Sequence, residues 1–171
     1  MPGEERTVLI GLTAELATAP VLPGGVVLRW VTADDDMHRI AVLQSAVWGQ
    51  DWSWLGENLI ARIAAGPQGI AVLAAEAGGD VVSAGWLAFF QPGADSFARL
   101  PGGWTLPQLR GRGIYRALVA ARAQRAAARN VRHLQVDASN DSAPILRRLG
   151  FHAVTTTTMY VWTPPQPARP V

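Results

Sequence analysis

The chain has 171 residues, 49% of them hydrophobic and 16% charged, which suits one folded domain with a sizeable core and excludes a disordered chain. It has no cysteine and no lysine, which excludes a disulfide framework, a thiol nucleophile, a cysteine metal site and a Schiff-base mechanism. Charge is unevenly divided: residues 1–95 carry 4 Arg against 11 acids, a net of −7, and residues 96–171 carry 11 Arg against 2 acids, a net of +9.

Residues 1–25 mix short apolar groups with Pro20, Pro23, Gly24 and Gly25, and read as an N-terminal arm that adds a strand or a short helix. The acidic start, Glu4-Glu5, lacks the basic region of a signal peptide, and no apolar run approaches the roughly 20 residues of a membrane span. A cytoplasmic protein with no membrane partner is the expectation. Val26 to Thr32 is β-branched and apolar, a first strand. Asp34-Asp35-Asp36 then supplies N-cap and first-turn carboxylates for a helix carrying Met37, Ile40, Ala41, Leu43, Gln44 and Val47 at spacings of three and four. A metal site there is disfavoured, because no further oxygen ligands follow at a loop spacing.

Trp48, Trp52 and Trp54 fall within seven residues around Gly49, before a helix over about 53–65. Rings so close at a glycine break cannot all point one way, so at least one is expected to line a cleft. Ile70–Ala77 and Val81–Phe90, joined by Gly78-Gly79-Asp80, form a β-hairpin, with Glu76 on its first strand. Gln91 to Asp95 closes the second strand. Phe97 to Leu106 returns as a third, and Pro101-Gly102-Gly103 inside it signals a bulge.

At Leu106-Pro107 a strand ends, a glycine turn follows and a long helix begins, running from about Gly113 to Asn130. Strand, glycine turn and helix together aim unpaired backbone N–H groups at an anion, with the helix dipole behind them. Gly111 and Gly113 remove the Cβ atoms that would hold a phosphate away, and Arg110, Arg112 and Arg116 offer forked donors. The basic second half is therefore read as a cradle for a polyanionic cofactor, with no nucleic-acid partner. Ile114, Ala117, Leu118, Ala121 and Ala128 form the buried helix face, and Arg122, Arg125 and Arg129 flank it toward solvent. His133 to Ala138 is a short buried strand parallel to an earlier one. Ser139 to Ser142 offers N-caps for a helix from Ala143 to Leu149, Thr155 to Trp162 is the last strand, and Pro164 onward is a Pro-rich tail.

Arg110-Gly111-Arg112-Gly113-Ile114, followed by Leu118, resembles the acetyl-coenzyme A signature of the GNAT N-acetyltransferase superfamily, Arg/Gln-x-x-Gly-x-Gly/Ala. Leu118 fixes that register, and Tyr115 then stands where Gly or Ala is usual. The other register, from Gln108, puts Arg116 at an apolar position. Leu149-Gly150-Phe151 resembles the family's closing motif. The resemblance spans about 26–162. It implies a mixed α/β sheet of about six or seven mostly antiparallel strands with one splayed parallel pair and about four helices. The expected layout is an arm over 1–25, a GNAT-like domain over 26–163 and a tail over 164–171.

What the resemblance implies for function is acetyl transfer from acetyl-CoA, or another acyl-CoA, to a primary amine of a small molecule or peptide, by direct attack. Cofactor contacts are expected at Trp104, Thr105, Leu106, Arg110, Gly111, Arg112, Gly113, Ile114, Tyr115, Arg116, Asn140 and Ser142. Acceptor contacts are expected at Trp48, Trp52, Trp54, Glu57 and Glu76. The negative first half favours a cationic acceptor. The family's frequent catalytic Tyr and Glu are missing: Ile145, Leu146 or Arg147 occupies the first position, and Gln135 with the acid-free run 99–106 the second. Tyr115, Ser142, Asp137, Tyr160 and Glu76 remain as candidates. No metal site is expected. A non-catalytic acyl-CoA sensor or assembly module is the alternative, and a homodimer stays open.

Overall fold

The computed structural model describes residues 2–90, 97–160 and 162. The turn expected over 91–95 and the tail over 164–171 lie outside the described residues. The described residues form one eight-stranded mixed sheet and five helices. In chain order these are β1 (Pro2–Leu12), α1 (Thr13–Leu16), β2 (Val26–Val31), α2 (Asp34–Trp48), α3 (Trp54–Ala65), β3 (Ile70–Ala77), β4 (Asp80–Phe89), β5 (Phe97–Arg99), β6 (Gly102–Thr105), α4 (Ile114–Ala127), β7 (His133–Ala138), α5 (Ala143–Arg148) and β8 (His152–Tyr160). The sheet order is β2-β3-β4-β5-β7-β1-β8, with β6 pairing β4 beyond β5.

The β3–β4 hairpin turns at Gly78 and Gly79, whose φ angles of 59° and 91° are the left-handed pair that a tight hairpin turn requires. Both strands are buried along almost their whole length, because helices cover both sheet faces here. On one face α2 and α3 bring Met37, Ile40, Leu43, Leu55 and Leu59 onto Val72, Ala74 and Trp86. On the other, α4 sets Ile114 and Leu118 on Leu73, Ala75 and Val82, and Val119 and Ala123 join the cluster around Leu87 and Leu134. Side chains no bigger than alanine at positions 117, 120, 123 and 126 let α4 lie close to the sheet.

Residues 2–16 supply both a strand and a helical turn. β1 lies between β7 and β8, antiparallel to each, and Leu9 and Leu16 enter the same core as Leu146 and Phe151. The stretch before Val26 is thus an inner strand of the sheet followed by a helical turn.

Several local expectations are corrected. Asp34 to Asp36 all lie inside α2, whose N-cap is Ala33, and Asp36 is buried in a two-pronged ion pair with Arg29 at 2.6 and 2.9 Å. Arg122, Arg125 and Arg129 do not merely face solvent. Arg122 is 1% exposed. Arg125 and Arg129 each stack at 4.3 Å on a ring, Trp30 and Phe89 respectively. β8 begins at His152, three residues earlier than the threonine run suggested, and forms the sheet edge with no buried residue.

Candidate active site

The site starts with a parting of strands. β5 runs parallel to β7, pairing Arg99 with Gln135, and the last link is Leu100 N–H to Gln135 O at 2.9 Å. Pro101 and two glycines with positive φ, Gly102 at 75° and Gly103 at 101°, then turn the chain away. β6 stays on β4 through a register shift between Ala84 and Gly85, and has no partner strand on its other side among the described residues. β7 meanwhile continues along β1. A cleft of about 370 Å³ opens in the gap, with Leu100 to Trp104 on one wall and Gln135, Val136, Asp137, Ser139 and Ser142 on the other.

Arg122 holds the bulge in place. Its Nη1 donates to Pro101 O at 3.1 Å and Trp86 O at 3.3 Å, and its Nε donates to Leu118 O at 3.0 Å. Gly85 makes this possible: a Cβ there would lie 2.7 Å from Arg122 Nη1 and 2.9 Å from Gly103 N. Burial pulls the Arg122 guanidinium down to about 10, so it keeps its charge at neutral pH. Beside it, the Tyr115 ring fills the space that a side chain at Gly103 would occupy, with Cε2 2.6 Å from the Cβ position. Burial pushes the Tyr115 phenol above its usual range, against a smaller opposing pull from Arg122.

Tyr115, which lines the cleft, follows directly on the glycine turn before α4. Pro107–Leu109 is a 3-10 turn, and Gly111 and Gly113 both have left-handed φ, 74° and 85°. Gly113 is the N-cap of α4, and the first helical bond is Ala117 N–H to Gly113 O at 2.9 Å. Ile114, Tyr115 and Arg116 therefore point N–H groups outward with no helical acceptor. A Cβ at Gly111 would meet nothing within 4 Å, whereas one at Gly113 would touch Pro20 Cγ at 3.5 Å, so the turn is open at Gly111 and flanked by Pro20 at Gly113. Arg110, Arg112 and Arg116 are exposed, and no carboxylate partners them among the described residues. Arg110 Nε donates to Thr105 O at 3.1 Å, which ties the turn to the end of β6. Amides, glycines and arginines without carboxylate partners are the donor set that a diphosphate needs. These residues fit an acyl-CoA.

The structure gathers some expected residues and leaves others apart. Trp104, Tyr115, Asp137 and Ser142 line the cleft, as does Trp48 from the end of α2. Asn140 is exposed in the turn just before α5. Thr105 is buried with its hydroxyl 2.8 Å from Ser83 Oγ, and Leu106 N–H donates to Val82 O, so both anchor β6 to β4. Trp52 and Trp54 pack on one another at 5.1 Å, and Glu57 pairs with His38 at 2.9 Å, all outside the cleft lining. Tyr160 is 74% exposed at the end of β8. Glu76 is occupied elsewhere: Arg29 and Arg39 hold it at 2.8 and 2.7 Å, and this keeps its carboxyl down to about 2.

Arg6, Arg99 and, as a wall residue, Gln135 are among the lining residues that escaped the sequence reading. The period of a strand places Gln135 and Asp137 on one face, and the parallel register adds Arg99 to it. Arg6 had no such signal, since nothing local marks residues 2–12 as an inner strand. The charged groups lining the cleft are Arg6, Arg99 and Asp137, so it is not acidic despite the negative first half of the chain.

An eight-stranded mixed sheet that parts at a bulge, with a glycine turn capping the following helix, defines an acetyltransferase-like fold. The sequence profile of the Acetyltransferase (GNAT) family matches residues 32–151, and the chain belongs to that family. Among curated proteins none matches. Solved structures share the fold. A predicted acetyltransferase from Clostridium acetobutylicum, solved with acetyl-CoA, is 18% identical with a TM-score of 0.63, covering 74% of this chain and 90% of that one. A GCN5-related N-acetyltransferase from Sphaerobacter thermophilus is 19% identical with a TM-score of 0.67, and the match covers 92% of this chain but 51% of that one. An aminoglycoside N-acetyltransferase in complex with CoA is 19% identical with a TM-score of 0.60, over 85% of this chain and 99% of that one.

Proposed function

We propose that the protein is an acyl-CoA-dependent N-acetyltransferase that acts by direct attack of a primary amine. The observation that carries this reading is the junction of two features: Tyr115, in the first turn of the helix that the left-handed Gly113 caps, lines the cleft that the β5–β6 bulge creates. The Gly111–Arg116 amides and arginines would hold the diphosphate, and the unpaired edge of β6 would take the amides of the pantetheine arm as a strand takes a partner. Acyl-CoA, when bound, supplies an activated thioester carbonyl.

The chain's own contribution is placement and proton handling. Asp137 lies on the cleft wall with Gln135 Nε2 donating to its Oδ1 at 2.9 Å, and it is the carboxylate there able to accept from an incoming ammonium. Tyr115, kept neutral by burial, is a phenol donor on the opposite wall. The Ser142 hydroxyl lies 3.1 Å from Ser139 Oγ and 3.3 Å from Ser139 O, which leaves it the weaker donor.

Isothermal titration with acetyl-CoA, paired with thiol release over a panel of amines, tests the reading. Gly113→Glu places a carboxylate against the cradle and should abolish acetyl-CoA binding while the fold survives; unchanged affinity would refute the cradle. One observation favours a second reading, a non-catalytic acyl-CoA sensor: α5 carries no hydroxyl or acid at 145–147, and Leu146 is fully buried. Saturable acetyl-CoA binding without thiol release across the panel would select it.

A further inference from the structure

We infer that the acceptor carries a carboxylate beside its amine: a free α-amino acid. This rests on the transferase reading above and names its second substrate. The cleft passes through the sheet, and on the face away from α4 its floor is β5, β7 and β1. Arg99, Gln135 and Asp137 share that face, because Arg99 and Gln135 are register partners and Asp137 stands two residues further along β7. Cation and carboxylate are therefore neighbours on the floor, yet they form no ion pair with each other. A zwitterion fits between them, its ammonium toward Asp137 and its carboxylate toward Arg99.

Of the two arginines that line the cleft, Arg6 alone has a carboxylate partner among the described residues. Arg6 is already bound to Glu4 at 3.0 Å. Arg99 has no carboxylate partner among the described residues and lies 5.1 Å from the Phe90 ring centroid. That ring stacks on Phe97 at 5.2 Å, so the guanidinium rests on a packed platform. A preset fork beside a strand face suits a planar carboxylate. Two acids of the negative first half, Asp36 and Glu76, are bound to Arg29 and Arg39 away from the cleft.

The experiment compares each α-amino acid with its carboxamide and its decarboxylated amine, by two readouts. The first is calorimetric binding to the protein saturated with CoA, which needs no turnover. The second is kcat/KM for thiol release with acetyl-CoA. Free amino acids, for at least one side chain, should exceed their carboxamides by about tenfold or more, the worth of one charge-assisted contact. Arg99→Gln should collapse that ratio toward one, whereas Asp137→Asn should weaken acid and amide together. Amides or bare amines that match or beat the free acids would overturn the proposal. So would saturable CoA binding with no amino acid bound or acetylated. Absence of acetyl-CoA binding would instead overturn the transferase reading itself, and the acceptor assignment with it.

Discussion

Arg122 and the pair Arg29–Arg39 all bind the sheet, but their partners differ in kind. Arg29 and Arg39 meet carboxylates, Asp36 and Glu76, in a four-membered network in which charge is matched two against two. Arg122 meets only carbonyls, those of Trp86, Pro101 and Leu118, and carries its charge into the core unmatched. A buried charge without a counterion costs free energy that hydrogen bonds only partly offset. The first cluster joins β2, α2 and β3 and lies away from the cleft. The second fixes the bulge from which the cleft opens. The comparison separates an arginine that holds the fold from one that holds a site at the fold's expense.

The sharpest way to break this comparison is to change Arg122 in two steps. Arg122→Ala leaves a cavity under the bulge and should cost about 3 kcal/mol of stability, measured by denaturant unfolding. Arg122→Met keeps most of the volume and removes the buried charge. Pro101 O retains the Trp86 N–H and Leu118 O its helical donor, so Arg122→Met should change stability by less than about 1.5 kcal/mol. Acetyl-CoA affinity should nonetheless fall by about tenfold or more, because the bulge loses its ties. If Arg122→Met binds acetyl-CoA as the wild type does, Arg122 is packing and the contrast fails.

Gly85→Ala is the next largest. Its Cβ would press on Arg122 Nη1 and the Gly103 backbone, so β6 must move; affinity for acetyl-CoA should drop while helix content by circular dichroism persists. The smallest effect belongs to the matched cluster. Glu76→Gln should lower the melting temperature at pH 7 by a few degrees and leave acetyl-CoA binding intact. Its pH dependence has a definite sign. The folded-state carboxyl is held down to about 2 against an ordinary 4.5, so its contribution is complete above 4.5 and is lost as pH falls toward 2. The gap in melting temperature between Glu76→Gln and wild type should therefore close over that window.

What the sequence made legible was local. Glycine spacing at 111 and 113 and the proline-glycine break at 101–103 announce their geometry within a few residues, because φ and Cβ are properties of one position. The Gly78-Gly79 hairpin is legible for the same reason. Arg122 was misread because an Ala/Arg helix has little polarity contrast, yet a signal was present: Ile114, Leu118 and Arg122 stand four apart, which puts the arginine on the buried face. The acceptor floor could not be read, since Arg6, Arg99 and Asp137 come together only through pairing between distant strands. Glu76 looked available for the same reason, its partners Arg29 and Arg39 being on other elements.

The place of β1 has a consequence for how the molecule is made. Residues 2–12 are synthesised long before the strands that flank them; the Thr13 hydroxyl waits for Val131 O, 118 positions later. Until then its hydrogen-bonding edges have no mate, and β7 and β8 have nothing to join them. Such late, long-distance closure slows assembly and leaves sticky edges open to neighbouring nascent chains. Expression yield should accordingly respond more to changes within residues 2–12 than to equal changes in the β3–β4 hairpin, whose halves meet within moments of one another.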